Sequence, residues 1–278
     1  MHGGDALDSP EGESKNFAQQ KRKEKEMKTR RAIAIGCHPD DIEFMMAGTL
    51  IRLKQAGWEI HYLNVSDGAL GTDKLPVEEI VRIRRSESMA AAELIGAVYH
   101  ESMARDLALF YDKDTLAKVA AVVREVAPEV ILTHYPFDYM EDHSNVSRLA
   151  VSAAFTRGMT NFETNPARPV TAQPVALYHA MPYGLRDPLR RPVTPDFYVD
   201  ITSAIDLKTD MLACHKSQKE WLDISQGQNS YLITLRDMMR ELGKQSGKYD
   251  YAEGWIRHLH LGLGPEDFDP LADLVKGF

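Results

Sequence analysis

Four consecutive residues, His38-Pro39-Asp40-Asp41, bring an imidazole and two carboxylates together within one turn of chain. Pro39 fixes its own φ and keeps His38 extended. A histidine and a carboxylate three residues apart across such a turn can converge on one cation. Asp40 then stands near the metal without needing to be a ligand. The plainer alternative makes both aspartates caps of the helix that follows, where the helix dipole favours carboxylates, with His38 incidental.

A second constellation lies about a hundred residues on: His134-Tyr135-Pro136-Phe137-Asp138-Tyr139-Met140-Glu141-Asp142-His143. His143 opens a helix, as Asp41 does. Two histidines and one carboxylate drawn from two loops make a three-ligand catalytic zinc site with an open fourth position. His134 is the competing ligand from this segment. Asp142 reads as a helix cap or as a partner that orients a ligand.

These loops need strand ends to hold them. Ala32-Ile33-Ala34-Ile35 is short, apolar and ends in Gly36, which fits a buried parallel strand directly before His38. Val130-Ile131-Leu132-Thr133 plays the same part before His134. Between and beyond them, helical patterns and strands alternate: a helix through Ile42, Met45, Met46, Leu50 and Leu53 that stops at Gly57; a strand 59–65; a helix 77–94; a short strand 98–101; a helix 114–126; and a helix 144–157. Later strands are expected at 175–178 and 197–201, and helices at 204–221 and 230–242. The alternation predicts an α/β fold, an open, doubly wound, largely parallel Rossmann-like sheet with helices on both faces. Ligands bind such sheets beyond the carboxyl ends of the strands. The loop Ser66-Asp67-Gly68-Ala69-Leu70-Gly71-Thr72 has two glycines that permit either a close backbone approach or a simple turn. Residues 158–196 hold seven prolines and read as a long decorated connection able to form a pocket wall.

Composition narrows the classes of function. The 278 residues, 44% apolar, suffice for one large core. The reading divides the chain into a solvated tail, 1–28, and a single domain, 29–278. A net charge of −8 argues against a general nucleic-acid binder. No stretch approaches the ~20 apolar residues of a membrane span, and the tail has no apolar run of the kind a secretory signal needs. Two cysteines, Cys37 and Cys214, require no disulfide framework, so a cytoplasmic location is expected. Cys37 points away from the ligand side and reads as core, and Cys214 as packing.

Together these pieces resemble the PIG-L/LmbE family of zinc-dependent N-acetylglucosaminyl deacetylases over residues 31–258. The resemblance is carried by Cys37-His38-Pro39-Asp40-Asp41 and Asp142-His143. It is supported by Gly68–Thr72, Ile83-Arg84-Arg85-Ser86-Glu87, Leu94-Ile95-Gly96, His215-Lys216-Ser217-Gln218 and Tyr251-Ala252-Glu253-Gly254. It implies a Zn2+ ion held by His38, Asp41 and His143, Asp40 as general base, and removal of an N-acetyl group from an amino sugar or related small-molecule glycoconjugate. It also implies a substrate-binding arginine at Arg85, or else Arg84, a substrate contact at Asp106, where a surface pair with Arg105 is the equal alternative, and members that associate as homo-oligomers. His179, at the end of a strand, is expected either to face the pocket or to lie in the core. His215 is expected to support the pocket. In the family the second motif reads His-Pro-Asp-His, and its first histidine donates to the tetrahedral intermediate. Here that position is Met140, which has no hydrogen to donate. Either another group supplies the donor or the chemistry differs. Two alternatives therefore stand beside the deacetylase: a zinc hydrolase of another amide or ester, and a non-catalytic ligand-binding member. A dinucleotide-binding protein is excluded, since the first strand leads into His-Pro-Asp-Asp and not a glycine-rich turn.

Overall fold

The computed structural model describes residues 29–219 and 230–276; the tail expected at 1–28 lies outside the described residues. In chain order the elements are β1 (Arg31–Gly36), α1 (Asp41–Met45), α2 (Ala47–Gln55), β2 (Glu59–Asn64), α3 (Val77–Leu94), β3 (Val98–His100), α4 (Lys113–Val126) and β4 (Val130–Thr133). They continue with α5 (Glu141–Thr156), β5 (Ala176–Ala180), β6 (Phe197–Asp200), α6 (Ile205–Ala213), α7 (Ser230–Ser246), β7 (Ala252–Arg257) and α8 (Pro270–Lys276).

One sheet holds all seven strands in the order β3-β2-β1-β4-β5-β7-β6. The first five are parallel, and β7 runs antiparallel to both β5 and β6. Strand order turns outward in both directions from β1 and β4. A crevice must open beyond the carboxyl ends of these two strands, because their following loops leave toward opposite faces. The two motif loops follow β1 and β4 and so meet there.

The alternation along β1 explains its burial. Ala32 and Ala34 pack into an apolar cluster with α1, α2, α6 and α7, while Ile33 and Ile35 pack into a second cluster with α4 and α5. A strand covered on both faces reads as a continuous apolar run. Cys37 is buried in the second cluster, where burial foremost pushes its thiol up to about 12.

Two departures from the sequence reading are accounted for by one buried carboxylate. The apolar periodicity of 42–53 predicts one helix, but the chain breaks at Met46 and restarts. Glu253 accepts the backbone N–H groups of Gly48 and Thr49, at 2.7 Å each, and so satisfies the first turn of the restarted helix. The fully buried Lys208 pairs with the same carboxylate. Glu253 belongs to β7, which the pattern reading did not place, because Ala-Glu-Gly-Trp-Ile-Arg carries residues depleted in strands. The helix expected over 204–221 ends at Ala213; a helical turn starts at Lys216, and residues from 220 lie outside the described ones.

Candidate metal centre and its cavity

The turn after β1 is closed by its own side chain. Asp41 Oδ2 accepts the His38 backbone N–H at 2.7 Å, and the Asp41 N–H bonds the His38 carbonyl at 3.2 Å. Asp40 between them is held at φ 116°, ψ −24°, a conformation rare for a residue with a Cβ. Strained backbone of this kind persists where the surroundings over-determine it and gathers at functional sites. Its side chain makes no capping bond. Instead Asp40 Oδ2 accepts the Tyr231 hydroxyl at 2.6 Å and lies 3.4 Å from Arg84 Nη2.

His143 enters from the first turn of α5. His38 Nδ1, Asp41 Oδ2 and His143 Nε2 form a triangle with sides of 3.5, 3.3 and 3.3 Å. Tetrahedral zinc with bonds of ~2.0–2.1 Å needs donors ~3.3 Å apart, so these residues fit the ion. The remaining ring nitrogens agree. His143 Nδ1 lies 3.0 Å from Asp138 Oδ1, and His38 Nε2 lies 3.3 Å from Asp142 Oδ2. In the neutral rings each carboxylate can take the ring N–H, which leaves the other nitrogen of each ring with its lone pair for the triangle. Three electron-rich atoms then face one another, an arrangement that a cation stabilises. The field has the same sense: burial opposes charge on His143, but Asp41 and Asp138 more than offset it and raise the ring to about 9. Asp41 is likewise resisted by burial yet held well below the usual carboxylate range by His143 and His134.

Two other residues approach this group. His134 Nε2 is 3.3 Å from Asp41 Oδ2, so Asp41, His134 and His143 also form a set able to hold a metal. That nitrogen, however, accepts the Cys37 backbone N–H at 2.9 Å, and burial foremost keeps the ring neutral by lowering its pKa. Its lone pair is already engaged. Cys37 Sγ lies 3.6 Å from His38 Nε2, the nitrogen turned away from the triangle, so one ion cannot take both the thiol and His38 Nδ1.

The triangle forms the floor of a cavity of about 410 Å³. Asp40, Arg84, Met140, Tyr139, Tyr183, Phe44, Gln218 and Tyr231 are among its walls. Burial foremost, with the neighbouring Asp41 carboxylate, raises the Asp40 pKa against the lowering effect of Arg84, His215 and Tyr231.

The remaining sequence candidates separate. Arg84 reaches the cavity and Arg85 does not, reversing the order expected. The Arg84 side chain is 4% exposed; it bonds the Pro39 carbonyl, contacts Gly68 O at 3.4 Å and leaves Nε buried without a partner. A Cβ on Gly68 (φ 75°) would stand 2.8 Å from the Arg84 side chain, and one on Gly71 would meet its guanidinium. The two glycines thus serve close approach. Arg85 forks onto Glu101 at the surface, its side chain 47% exposed. Asp106 lines the cavity but accepts the Ser66 hydroxyl and the N–H groups of Gly68 and Leu70, so it fastens the 66–71 loop. His179 is not in the lining; its Nδ1 bonds the His134 carbonyl at 2.8 Å and its Nε2 meets His258 Nδ1 at 3.0 Å. His215 is fully buried 3.3 Å from Glu43, behind Asp40.

Asp138, Tyr139, Tyr183 and Tyr231 escaped the sequence reading. Asp138 was discoverable as a carboxylate five residues before a ligand-type histidine. Tyr231 carries no such signal, since 191 positions separate it from Asp40.

The arginine arrangement gives a direct expectation. Hydrogen bonds to charged groups are worth about 1.5–3 kcal/mol, or roughly ten- to a hundredfold in rate. Arg84→Met is therefore expected to lower kcat/KM by roughly tenfold or more, and Arg85→Met to stay within about twofold. Steady-state kinetics on both variants checks this; equal effects would remove the distinction.

The chain is similar to known proteins in sequence and in fold. The family described as GlcNAc-PI de-N-acetylase matches residues 33–154. Diacetylchitobiose deacetylase of Thermococcus kodakarensis is 26% identical over 235 residues, covering 81% of this chain and 82% of the relative. 4-Oxalmesaconate hydratase of Pseudomonas putida is 28% identical over 210 residues, covering 71% and 78%. Among solved structures, N,N'-diacetylchitobiose deacetylase from Pyrococcus horikoshii superposes with a TM-score of 0.69 at 24% identity, covering 96% of this chain and 99% of that one.

Proposed function

We propose that this chain, a member of the PIG-L/LmbE-like deacetylase family, is a zinc-dependent N-deacetylase that hydrolyses the acetamide of a small amino sugar or glycoconjugate. The observation that carries the reading is the donor triangle of His38, Asp41 and His143 with Asp40 beside it and outside it. The relatives that act on diacetylchitobiose support the substrate class.

Held by those three residues, zinc supplies Lewis acidity toward water and toward the acetamide carbonyl. The chain's own groups do the rest. Asp40, anchored through Oδ2 by Tyr231 and Arg84, keeps Oδ1 for the attacking water. It takes the proton from that water and returns it to the leaving amine, which is too basic to depart unprotonated. Asp138 and Asp142 fix the rings of His143 and His38. Tyr139, on the cavity wall beside Met140, donates its hydroxyl hydrogen to the carbonyl oxygen as negative charge develops there. The phenol stays protonated near neutral pH, since a tyrosine hydroxyl ordinarily ionises only near pH ~10. The free cysteines Cys37 and Cys214 fit a reducing cytoplasm, and among the described residues no helix is long and apolar enough to cross a membrane.

The ligand assignment is checked by metal content. The wild-type chain is expected to bind one zinc, with two nitrogens and a carboxylate oxygen at ~2.0–2.2 Å and no sulfur. Asp41→Asn and His143→Ala should lose it during dialysis against a weak chelator, while Cys37→Ser keeps it. His134→Ala separates the two possible sets: stoichiometric zinc in that variant supports His38, and loss equal to that of His143→Ala would assign the site to His134 instead.

A second reading, metal-assisted addition of water to an activated carbon–carbon double bond, is favoured by one observation, Met140 in the donor position, together with the hydratase relative. Against it, the cavity lining contains, among the described residues, a single arginine and no lysine, few cations for a polycarboxylate. Acetate release from N-acetylglucosamine conjugates, set against loss of conjugated-alkene absorbance from an unsaturated dicarboxylate, distinguishes the two.

A further inference from the structure

We propose that the mouth of the cavity is a subsite for an apolar group carried by the substrate, so that the preferred substrate is an N-acetylated amino sugar or amine bearing an alkyl or aryl substituent and not a bare sugar. This rests on the deacetylase reading for what lies at the metal and adds what lies at the other end.

The mouth is flanked by Leu70 and Leu107, which line the cavity yet remain 53% and 65% exposed. Single exposed leucines need no explanation. These two differ in being held in place. Leu107 sits at φ 57°, a left-handed conformation that disfavours leucine, and its N–H is pinned at 2.7 Å by Asp142 Oδ2, the atom that also faces His38. The Leu70 N–H is pinned at 2.9 Å by Asp106 Oδ2. Two aspartates therefore project two leucines at the entrance, in positions where the free protein gains nothing by burying them.

An aromatic wall lines the same cavity. Tyr139 and Tyr183 are also exposed at the cavity, with ring centroids 6.3 Å apart, and Phe44 lies 5.6 Å from Tyr183. A sugar ring needs free hydrogen-bonding groups for its hydroxyls, and among the described residues neither Asp106 nor Arg84 turns one to the entrance. Both Asp106 oxygens are taken up by Ser66, Gly68 and Leu70, and the Arg84 guanidinium is turned to Pro39, Gly68 and Asp40. Among the described residues, Leu70, Leu107 and the rings of Tyr139 and Tyr183 present exposed apolar area on the cavity that holds the reaction centre, and exposed apolar area gathered in one place marks a binding surface.

The test compares the methyl and hexyl β-glycosides of N-acetylglucosamine as substrates of the zinc-loaded full chain, by acetate release. Added methylenes in a fitted apolar site are worth roughly ten- to a hundredfold in kcat/KM, so the hexyl glycoside is expected to exceed the methyl by that ratio. The double variant Leu70→Ser/Leu107→Asn, whose asparagine tolerates the left-handed backbone, should bring the ratio close to one while thermal unfolding shows a folded chain. A ratio near one in the wild type, or one that survives in the double variant, overturns the proposal. If neither glycoside yields acetate, the deacetylase reading falls. The subsite is then judged by calorimetric titration of hexyl and methyl glucoside, which lack the acetamide. Tighter binding of hexyl glucoside by at least roughly tenfold, lost in the double variant, upholds it; equal or undetectable binding of the two ends it.

Discussion

Asp40→Asn is expected to keep its zinc and lose roughly 10²–10⁴ in kcat, the usual contribution of a general acid–base group. The argument rests on how the two oxygens of Asp40 are used. Oδ2 accepts from Tyr231 and faces Arg84, while Oδ1 has no protein partner among the described residues and belongs to a side chain on the cavity wall. Asparagine can keep its oxygen on Tyr231, but it then presents an amide N–H₂ to the cavity. That group cannot take a proton from water or return one to an amine. Zinc should stay, because the triangle of His38, Asp41 and His143 does not include Asp40. The upward shift of Asp40 by burial suits a group that must accept a proton and release it again within one turnover. Metal analysis and single-turnover acetate release on the same preparation separate the two effects. Near-normal turnover with full zinc would assign the base to another residue.

How far the sequence discloses this site follows from how local each contact is. The strands before both motifs were legible because a parallel strand covered on two faces is a bare apolar run, and two such runs ending in histidine-bearing loops place a site by topology alone. The candidate ligands were legible for the same reason: His38 and Asp41 share one turn. What stayed hidden depends on distant partners. Arg84 and Arg85 are neighbours on one helix, and only the close approach of Gly68 and Gly71 shows which of them turns inward. That Asp106 also fastens the 66–71 loop, through the N–H groups of Gly68 and Leu70, is equally invisible in the sequence. Strand β7 stayed hidden because its glutamate is tolerable only with Lys208 and the start of α2 packed against it. A buried charge is a tertiary fact, and no period in the sequence encodes its partner.

Met140 raises the remaining mechanistic question, which Tyr139 answers. A donor at the developing oxyanion is worth roughly 10²–10³ in rate, and methionine has no hydrogen to donate. Two other histidines of this region, His134 and His179, are otherwise engaged. His134 Nε2 accepts the Cys37 N–H, and His179 Nδ1 bonds the His134 carbonyl outside the cavity lining. Tyr139 lies on the wall with its ring edge-on to His143, centroids 5.8 Å apart at 76°, and its hydroxyl has no protein partner among the described residues. Tyr139→Phe is therefore expected to lower kcat by roughly 10²–10³ with zinc content unchanged. Met140→His supplies a second donor at the adjacent position and should leave kcat intact or raise it. The two changes must then interact: in the Met140→His background, loss of the Tyr139 hydroxyl should cost less than it does alone, because the new imidazole takes over part of the same charge. A double-mutant cycle on kcat measures that coupling, for which contacting residues typically give about 0.5–3 kcal/mol. Wild-type kcat in Tyr139→Phe, or strict additivity of the two changes, would remove Tyr139 from the oxyanion and leave the carbonyl charge to the metal alone.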